Sequence, residues 1–583
     1  MIVVHVTHEA VEKIGGIGAV IAGLTTTDAY TEAVERTILL GPLLSTDAPV
    51  NRRLGEGGHV IYSSLDAITP PEWRQKFLAI EKTYEVGIIY GTRQVQDACT
   101  GKAVDVEVLL VDVFHANRHR LDLFKAELFK KFLVPSDRFE SVWEYEEYVR
   151  LAEPGFEALK AVGANNGQQM LLLSHEYMGM PTALKAVLDG APRTRTVFYA
   201  HEVATVRPIV EKAPGHDTMF YNVMERVAAD GRTCEDVFPQ VAENYKHPLV
   251  KAARYCDHVF AVGDYVVDEL KFLDPHFQTM DIDLVYNGIP AEQITFEQRL
   301  ASKGLLQQYA ETLTGRRPDW IFSHVARPVL SKGIWRDLAV LHHLEPILAE
   351  RGQTVVYFML GTLAGQRRRQ DIRQMERVYG WPVAHEEGYP DLCSGEEVVG
   401  RMFDDFNRNH EASRAILVNQ WGWSAQVCGD RMPGASTFAD LRRGTDLEFG
   451  LSVYEPYGIS QLEPLSYGAI CLVSNVCGCV GFARRAEQGL ASDACNVIEV
   501  DFLSVPADAD LGRLLALSMD ERDAVEAAES ERLARCVAAC LVQDQAVLEA
   551  RIQRGYELAR RMSWEHVVSE YLLPSLTRTA EEE

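Results

Sequence analysis

The chain has 583 residues, of which 47% are apolar and 24% are charged, and its formal net charge is −26. These values are typical of a globular protein with more than one domain, and they exclude collagen-like, coiled-coil and wholly disordered chains. The acidic charge argues against a general nucleic-acid binder or a protein that docks on anionic membranes, because both need a basic face. No apolar run approaches the roughly 18–20 residues of a membrane-spanning helix, so we expect no membrane span.

The amino terminus and the cysteines indicate the cellular compartment. Residues Met1–Val6 lack a basic region and a long apolar stretch, so we interpret them as the first strand of a fold rather than as a secretory signal. The 11 cysteines are odd in number and lack the spacing of a disulfide framework or of a zinc site. We therefore expect reduced thiols in a cytoplasmic protein.

Short apolar runs alternate with helical patterns along the first half of the chain. The runs are apolar on both faces, which suits buried parallel strands. Helical patterns at Ala19–Leu24 and Pro181–Leu188 follow the first two runs. In chain order the predicted strands are Ile2–Val6, Gln169–Ser174, Thr196–Ala200, His258–Val262 and Asp283–Tyr286.

The same alternation starts again after about residue 318. The predicted strands of this second set are Trp320–Val325, Thr354–Leu360, Arg414–Val418, Leu447–Val453, Ala469–Ser474 and Asn496–Val500. Two successive sets of strands and helices predict two doubly wound α/β domains joined near residues 290–318.

Two regions do not fit a minimal pair of such domains, and we interpret both as helical insertions. Residues 115–165 are charged and aromatic with helical spacing, and residues 363–412 are polar and rich in arginine. The second insertion contains a cluster formed by Arg367, Arg368, Arg369 and Arg373. This cluster is either a solvated helix face or a site for an anionic effector.

The most informative segment reads YEPYGISQLEPLSYG and carries two glutamates, Glu455 and Glu463. Pro456 favours an extended conformation at Glu455, and Gly458 allows a tight turn. Ser460 and Glu463 then have the spacing of a capping box that opens a helix. Both carboxylates can therefore face one site, while a purely capping role for Glu463 is the alternative.

This segment resembles the glutamate–seven–glutamate motif of retaining GT-B glycosyltransferases. In that family the first glutamate holds hydroxyls of the donor sugar and the second holds the nucleotide ribose, roles that fall on Glu455 and Glu463. The resemblance also places Tyr457, Gly458 and Ile459 in the nucleotide-sugar site.

A glycine loop follows the first predicted strand and resembles the Lys-x-Gly-Gly loop of glycogen and starch synthases. It contains Lys13, Gly15 and Gly16. Two glycines let the backbone approach a phosphate or a sugar, and the lysine supplies charge. A plain turn between a strand and a helix is the alternative.

Two histidines lie where these synthases carry their own. His175 belongs to a segment that resembles the synthases' His-(Asp/Glu)-Trp sequence, and His201 ends a strand that resembles the one before their active-site histidine. The resemblance implies that His201 lies near the anomeric carbon. His175 either lines the site or stabilises a turn, and Glu202 stands where the family commonly has asparagine.

The second domain opens with a segment that resembles the family's GRLxxxKG sequence and contains Arg327 and Lys332. Both follow a predicted strand, at the edge where doubly wound sheets bind ligands. Two cations there can neutralise a leaving diphosphate, so we expect no metal and no cofactor besides the nucleoside diphosphate sugar. A surface salt bridge is the alternative.

The resemblance implies an α/β protein of GT-B architecture, with two Rossmann-like doubly wound domains that face a cleft. We expect residues 1–310 to form the acceptor-side domain and 311–560 the nucleotide-sugar domain. Residues 561–583 would form a helix that crosses back to the first domain.

The implied function is glucose transfer, with retention of anomeric configuration, from a nucleoside diphosphate glucose to the non-reducing end of an α-glucan. The alternatives are a transferase of the same fold with another donor or a small acceptor, an epimerase, and a non-catalytic glucan-binding or scaffold protein. The sequence leaves open the donor base, UDP or ADP, and whether the chain forms a homo-oligomer. The expected partners are the donor and a carbohydrate acceptor.

Overall fold

A computed structural model describes residues 1–12, 15–55, 57–97, 101–164, 167–211, 216–228, 230–490 and 495–581. Contacts divide the chain into two compact units. The first unit comprises Met1–Pro208, Val227–Gly288 and Trp564–Glu583, and the second comprises Ile209–Arg226 and Ile289–Ser563.

The first unit is built on a nine-stranded sheet. The strands are β1 (Ile2–Val6), β2 (Arg36–Pro42), β3 (His59–Ser63), β4 (Gly87–Gln96), β5 (Ala103–Asp112), β6 (Met170–His175), β7 (Thr194–Ala200), β8 (His258–Ala261) and β9 (Ile282–Leu284). Their order is β3-β4-β5-β2-β1-β6-β7-β8-β9, parallel except for the antiparallel pairs β3–β4 and β4–β5. The chain passes from β1 to β2 on one side and later to β6 on the other, so β1 and β6 border the switch point of the sheet.

Helices cover this sheet in the first unit. They are Ile17–Thr25, Asp28–Ala33, Pro71–Tyr84, Arg118–Phe132, Trp143–Ala161, Glu176–Asp189, Cys234–Val237, Lys246–Lys251, Asp264–Leu273, His276–Thr279, Trp564–Val567 and Leu573–Glu581, and a further short helix, Arg207–Glu211, begins in this unit and ends in the other. Several begin at side-chain caps, for example at Asn117, whose Oδ1 accepts a hydrogen bond from the Arg120 N–H at 3.2 Å. Two of these helices, Arg118–Phe132 and Trp143–Ala161, lie in the first predicted insertion.

The second unit contains a six-stranded sheet. Its strands are β10 (Trp320–Val325), β11 (Val355–Leu360), β12 (Ser413–Val418), β13 (Leu447–Glu448), β14 (Ile470–Ser474) and β15 (Val497–Val500). The order is β12-β11-β10-β13-β14-β15 and every pair is parallel. The switch point therefore lies between β10 and β13.

Helices also surround the second sheet, and buried apolar clusters fill both of its faces. The helices are Asp217–Ala228, Phe296–Thr314, Ile334–Glu350, Arg369–Val378, Glu396–Asn409, Ala425–Cys428, Phe438–Gly444, Ile459–Leu462, Cys479–Glu487, Leu511–Leu515, Met519–Cys540 and Gln545–Arg561, with the last two residues of the first one in the other unit. The prediction of two doubly wound α/β domains is confirmed.

Strand β13 is much shorter than the predicted strand Leu447–Val453, which is a correction. The Phe449 N–H still bonds the carbonyl of Ser323 in β10 at 2.8 Å. The chain then turns away, because the N–H groups of Val453 and Tyr454 bond the carbonyl of Ser331 at 2.7 and 3.2 Å instead. The sheet therefore gives way to a loop at the switch point.

The boundary between the units lies at Gly288 and Ile289 rather than at about residue 310. Helix Phe296–Thr314 belongs to the second unit, where its Ser302 donates a hydrogen bond of 2.7 Å to Asp440. Residues from Trp564 onwards belong to the first unit.

Three further features of the described residues concern function. None of their helices is both long and apolar enough to cross a membrane. They contain no group of three or more histidine, cysteine, aspartate or glutamate side chains arranged to hold a metal ion. The cysteines among them are free thiols.

Candidate functional site

Two loops meet at the switch point of the second unit. One follows β10 and ends at Gly333, and the other follows β13 and runs to Gly458. Gly333 has a φ of +62°, and a Cβ there would lie 2.2 Å from the carbonyl oxygen of Leu451. Only glycine fits this approach without displacing the backbone. The loops are thus docked on each other, and each carries predicted site residues.

Lys332 and Glu455 form an ion pair across these loops. The Lys332 Nζ donates a hydrogen bond to the Glu455 Oε2, and the two side chains are only 19% and 14% exposed. Such partial burial strengthens the attraction relative to a pair in open water. The structure therefore brings together the predicted diphosphate-binding cation and the predicted sugar-binding carboxylate.

The turn at Glu455 is fixed by the segment that follows β14. The Gly478 N–H bonds the Glu455 carbonyl at 3.0 Å, and the Cys479 N–H bonds the Tyr457 carbonyl at 2.9 Å. A Cβ at Gly478 would lie 1.8 Å from the Pro456 carbonyl oxygen. These contacts hold the backbone of the predicted motif against the sheet.

Glu463 does not form the predicted capping box. The short helix Ile459–Leu462 begins after Gly458, which has a φ of +96°, and a 3-10 turn begins at Glu463 itself. The Glu463 Oε2 instead lies 3.2 Å from the Nε of Arg442. Because Gly458 leaves the helix no side-chain cap, the capping alternative for Glu463 is wrong.

Arg442 links Glu463 to the sheet. Its guanidinium is 4% exposed and also pairs with the buried Glu448 at 3.0 Å. Burial opposes the charge of Arg442, but the two carboxylates outweigh it and raise the pKa of the guanidinium. This network fixes Glu463 on the carboxyl side of β13, with seven residues between it and Glu455 in sequence.

Arg327 lies on the same loop as Lys332 but does not join the ion pair. Its side chain is exposed. Within the described residues no carboxylate lies within salt-bridge distance of the Arg327 guanidinium. The neighbouring backbone is fixed, since the Ala326 N–H bonds the Leu360 carbonyl at 3.1 Å. Arg327 is thus a positive charge beside the switch point that no carboxylate of the described residues neutralises.

The first unit brings both predicted histidines together with a third one. The His175 Nδ1 lies 2.7 Å from the His201 Nε2, and the His175 Nε2 lies 2.8 Å from the His5 Nδ1. The His5 Nε2 continues the chain to the hydroxyl of Tyr30 at 3.2 Å. We call these four side chains the histidine chain.

Burial keeps the histidine chain uncharged. His5 and His175 are completely buried, and His201 is partly exposed. Loss of solvation lowers the pKa of His5 to about 4 and that of His201 to about 3, and it lowers the pKa of His175 well below the usual range. The three imidazoles are therefore neutral at physiological pH.

The sequence reasoning missed His5 and Tyr30. His5 lies in β1 and His175 ends β6, and these two strands are parallel neighbours at the switch point. The available signal was that His5 lies within the first predicted strand and that His175 directly follows the second, Gln169–Ser174. Tyr30 carried no comparable signal, because it lies on the short helix Asp28–Ala33.

Glu176, next to His175, is a second group that the sequence reasoning missed. It is 4% exposed and has a φ of +59°, which is unusual for a residue with a side chain. Its Oε1 accepts a hydrogen bond of 2.5 Å from the Glu202 N–H. Burial, followed by the nearby charge of Glu202, raises the pKa of the Glu176 carboxyl well above its usual range.

The predicted glycine loop is only partly described, and Lys13 lies outside the described residues. Gly15 and Gly16 are exposed and precede the helix Ile17–Thr25. The Gly18 N–H at the start of this helix donates a hydrogen bond of 3.0 Å to the carboxylate of Glu9. A carboxylate of the chain itself thus takes up part of the helix terminus that a phosphate would use.

The arginine cluster of the second insertion is neutralised by the chain's own carboxylates. Arg367 is buried against the equally buried Glu396, so it belongs to the interior rather than to a solvated helix face. The pairs are Arg367–Glu396, Arg368–Asp371, Arg369–Asp430 and Arg373–Asp430. This pairing gives no support to an effector site at the cluster.

Two doubly wound α/β units, each built on a sheet that is parallel around its switch point, are the architecture of the GT-B glycosyltransferases. Comparison with solved structures shows that fold for this chain, so the predicted fold is confirmed. No protein-family model and no curated protein matches the sequence.

Several solved structures are similar to the chain over its whole length. The catalytic domain of starch synthase IV from Arabidopsis thaliana, bound to ADP and acarbose, has a TM-score of 0.54 and 13% identity, with 100% of both chains covered. A trehalose-6-phosphate structure from E. coli with UDP-2-fluoro glucose has a TM-score of 0.51 and 10% identity, also with 100% of both chains covered. The trehalose-6-phosphate synthase OtsA has a TM-score of 0.50 and 11% identity at the same coverage.

Proposed function

We propose that the protein is a retaining glycosyltransferase that transfers glucose from a nucleoside diphosphate glucose to the non-reducing end of an α-glucan. The observation that carries the proposal is the ion pair between Lys332 and Glu455 at the switch point of the second unit. Glu463 lies in the next turn of the same segment, where Arg442 fixes it. This arrangement offers positive charge for a diphosphate beside carboxylates for hydroxyl groups.

On this proposal, the bound donor replaces the ion pair between Lys332 and Glu455 with its own contacts to both side chains. The diphosphate binds Lys332 and attracts the exposed Arg327, while Glu455 turns from the Lys332 ammonium to the sugar hydroxyls. Both cations stabilise the negative charge that develops on the leaving diphosphate. Glu463 accepts hydrogen bonds from the ribose. Since two cations supply the charge stabilisation, we propose that no metal ion takes part.

The acceptor is assigned on the resemblance of the glycine loop to glycogen and starch synthases. The similar structures are divided between a starch synthase and trehalose-phosphate synthases. A small phosphorylated sugar is therefore the acceptor that the test must separate from a glucan. We propose that the histidine chain takes part in the transfer step. The only support for this assignment is that His201 ends a strand similar to the one before the active-site histidine of glycogen and starch synthases.

The proposal is tested by diphosphate release from purified protein. UDP-glucose and ADP-glucose are compared in parallel, each with glycogen, maltooligosaccharides, glucose 6-phosphate or no acceptor. Glucan-dependent release that continues in the presence of a chelator is the expected result. Release only with glucose 6-phosphate would favour the small-acceptor function, and nucleotide-sugar binding without release would favour a binding protein.

Variants of the ion pair test the site itself. Glu455→Gln and Lys332→Met should each lower diphosphate release about 100-fold or more, because each removes a charge that acts in the transition state. Arg401→Met is the matched control, since it removes an exposed cation of the same unit that pairs with Glu387. Equal activities of all three variants would contradict the proposed site.

A further inference from the structure

All but one of the ring nitrogens in the histidine chain form hydrogen bonds among the described residues. His5 and His175 each bond a partner through both nitrogens. His201 bonds only through Nε2, so its Nδ1 is the free end of the chain among the described residues. At the opposite end, the Tyr30 hydroxyl also meets the hydroxyl of Thr37 at 3.1 Å.

A count of protons leaves two possible arrangements of the hydrogen bonds in the histidine chain. Each neutral imidazole carries one N–H and one acceptor nitrogen. Both nitrogen-to-nitrogen contacts contain a proton only if all three histidines have the same tautomer. Either every Nδ1 is protonated and Tyr30 donates to His5, or every Nε2 is protonated and His5 donates to Tyr30. The His201 Nδ1 is therefore a hydrogen-bond donor in the first arrangement and an acceptor in the second.

Tyr30 decides between these arrangements. A phenol is a stronger hydrogen-bond donor than a neutral imidazole N–H, and an imidazole nitrogen is a stronger acceptor than a phenol oxygen. The Tyr30 hydroxyl therefore donates to the His5 Nε2 and accepts from Thr37. This places the His5 proton on Nδ1. Because the three histidines share one tautomer, His175 and His201 are also protonated at Nδ1.

We propose that Tyr30, His5 and His175 are positioning residues that set the tautomer of His201, so that its Nδ1–H is presented as a hydrogen-bond donor. The use of that donor in sugar transfer rests on the proposed function, whereas the tautomer itself does not. His201 would then donate to an oxygen of the substrate rather than remove a proton from it.

The other groups around the histidine chain do not favour either tautomer, so Tyr30 determines it. The ring of Tyr199 lies against His175 and His201, with centroids 5.3 and 4.5 Å away, but its hydroxyl bonds the Val285 carbonyl at 3.3 Å. The titratable groups nearby include Glu176 and Glu202, which follow His175 and His201 in sequence, and His8, which lowers the pKa of His175 at longer range. None of these three bonds a ring nitrogen of the histidine chain among the described residues.

The test is the tautomer of each histidine in the full-length protein labelled with ¹⁵N-histidine. Two-bond nitrogen–proton spectra at neutral pH distinguish Nδ1–H from Nε2–H, and single His→Gln variants assign the three residues among the 17 histidines. The expected result is Nδ1–H at all three positions. An Nε2–H tautomer at His201 would overturn the proposal, whether or not the protein transfers sugar.

Tyr30→Phe removes the hydroxyl that selects the arrangement and keeps the ring. It should give His201 a mixture of tautomers, while the matched control Tyr199→Phe keeps Nδ1–H. If Tyr30→Phe does not fold, His5→Phe interrupts the chain one step later and should have the same effect. An unchanged spectrum in a folded variant would contradict the proposal.

Activity provides a separate readout. With the proposed donor and acceptor, Tyr30→Phe should lower kcat about five-fold, the fold-change that the loss of one neutral hydrogen bond produces, and leave KM unchanged. A loss of kcat without a change of tautomer would assign Tyr30 a structural role. Spectra that behave as expected in a protein without transferase activity would support the tautomer assignment and contradict the proposed function.

Discussion

Glu147 is a carboxyl group that the first unit buries close to another carboxylate. Its residue is 7% exposed within the helix Trp143–Ala161. Burial, followed by the nearby charge of Glu144, raises the pKa of Glu147 to about 7. Between its unfolded pKa near 4.5 and the folded value, the folded state therefore holds a proton that the unfolded state has lost.

The stability of the protein should accordingly contain a term that weakens as pH rises. Glu147→Gln, which resembles the protonated side chain, should match the wild type near pH 4.5 and exceed its free energy of unfolding by about 1–3 kcal/mol at pH 8. Urea unfolding across this pH range measures the difference. Glu127→Gln, on the neighbouring helix Arg118–Phe132, is the control for the removal of a carboxylate, and the same change with pH in both variants would contradict the assignment.

At the level of secondary structure, the position of Glu455 depends on a backbone approach that only glycine permits. A Cβ at Gly478 would lie 1.8 Å from the Pro456 carbonyl oxygen, and the Gly478 N–H bonds the Glu455 carbonyl. Any side chain at position 478 must push the motif away from the start of the helix Cys479–Glu487. The catalytic geometry proposed for Glu455 thus depends on a residue that touches no substrate.

Gly478→Ala should therefore impair both stability and function. We expect a loss of about 1–3 kcal/mol in the free energy of unfolding, as for other overpacked positions, and a weaker binding of the donor. Gly434→Ala is the matched control, because a Cβ there meets no atom within 4 Å. Chemical unfolding and calorimetric titration with UDP-glucose or ADP-glucose measure the two effects, and equal results for both variants would refute the argument.

The elements that the sequence predicts well are those buried on both faces. The predictions Ile2–Val6 and Trp320–Val325 match β1 and β10 residue for residue, and both are central strands of their sheets. Strand β4 was missed because it lies in an antiparallel extension with mixed exposure, where polar residues interrupt the apolar pattern. In β5, the short buried apolar run Val108–Val111 was overlooked. Strand β2 does contain an apolar run, so its omission was avoidable.

One part of the candidate site could be predicted from the sequence, and the other parts could not. The segment around Glu455 carries its own motif, and its approach to Lys332 follows from the switch-point rule for parallel sheets. The partner of Glu463, in contrast, is Arg442, which lies on the separate helix Phe438–Gly444 and belongs to no recognisable pattern. The histidine chain needs the register of β1 against β6, which only the folded structure provides.

At the scale of the whole molecule, the chain passes between the units more than once. Residues Ile209–Arg226 belong to the second unit although the first unit supplies the residues on both sides of them. The Thr218 hydroxyl donates to the Phe502 carbonyl at 2.9 Å, and the Asn222 amide donates to the Leu503 carbonyl at 2.8 Å. The second unit is therefore incomplete without a segment from the amino-terminal half of the sequence.

A buried ion pair anchors this segment. The Arg336 guanidinium donates to both carboxylate oxygens of Asp217 at 2.8 and 3.0 Å, and neither side chain is exposed. Arg336 also bonds Glu526 at 2.6 Å, and the two carboxylates raise the pKa of the guanidinium against the effect of burial. Removal of Asp217 would leave a buried cation with half of its charge compensation, which is costly in a low-dielectric interior.

Asp217→Ala should consequently lower the free energy of unfolding by about 3–5 kcal/mol and release residues 209–226 from the second unit. Glu225→Ala, at an exposed position of the same helix, is the control and should change the free energy of unfolding by less than about 0.5 kcal/mol. Urea unfolding gives the energy, and limited proteolysis followed by mass spectrometry locates the cleavage sites. New cleavage within 209–226 in Asp217→Ala alone is expected, because a segment must detach before a protease can bind it. An unchanged cleavage pattern together with an unchanged unfolding midpoint would show that the other contacts of the segment hold it in place without the ion pair.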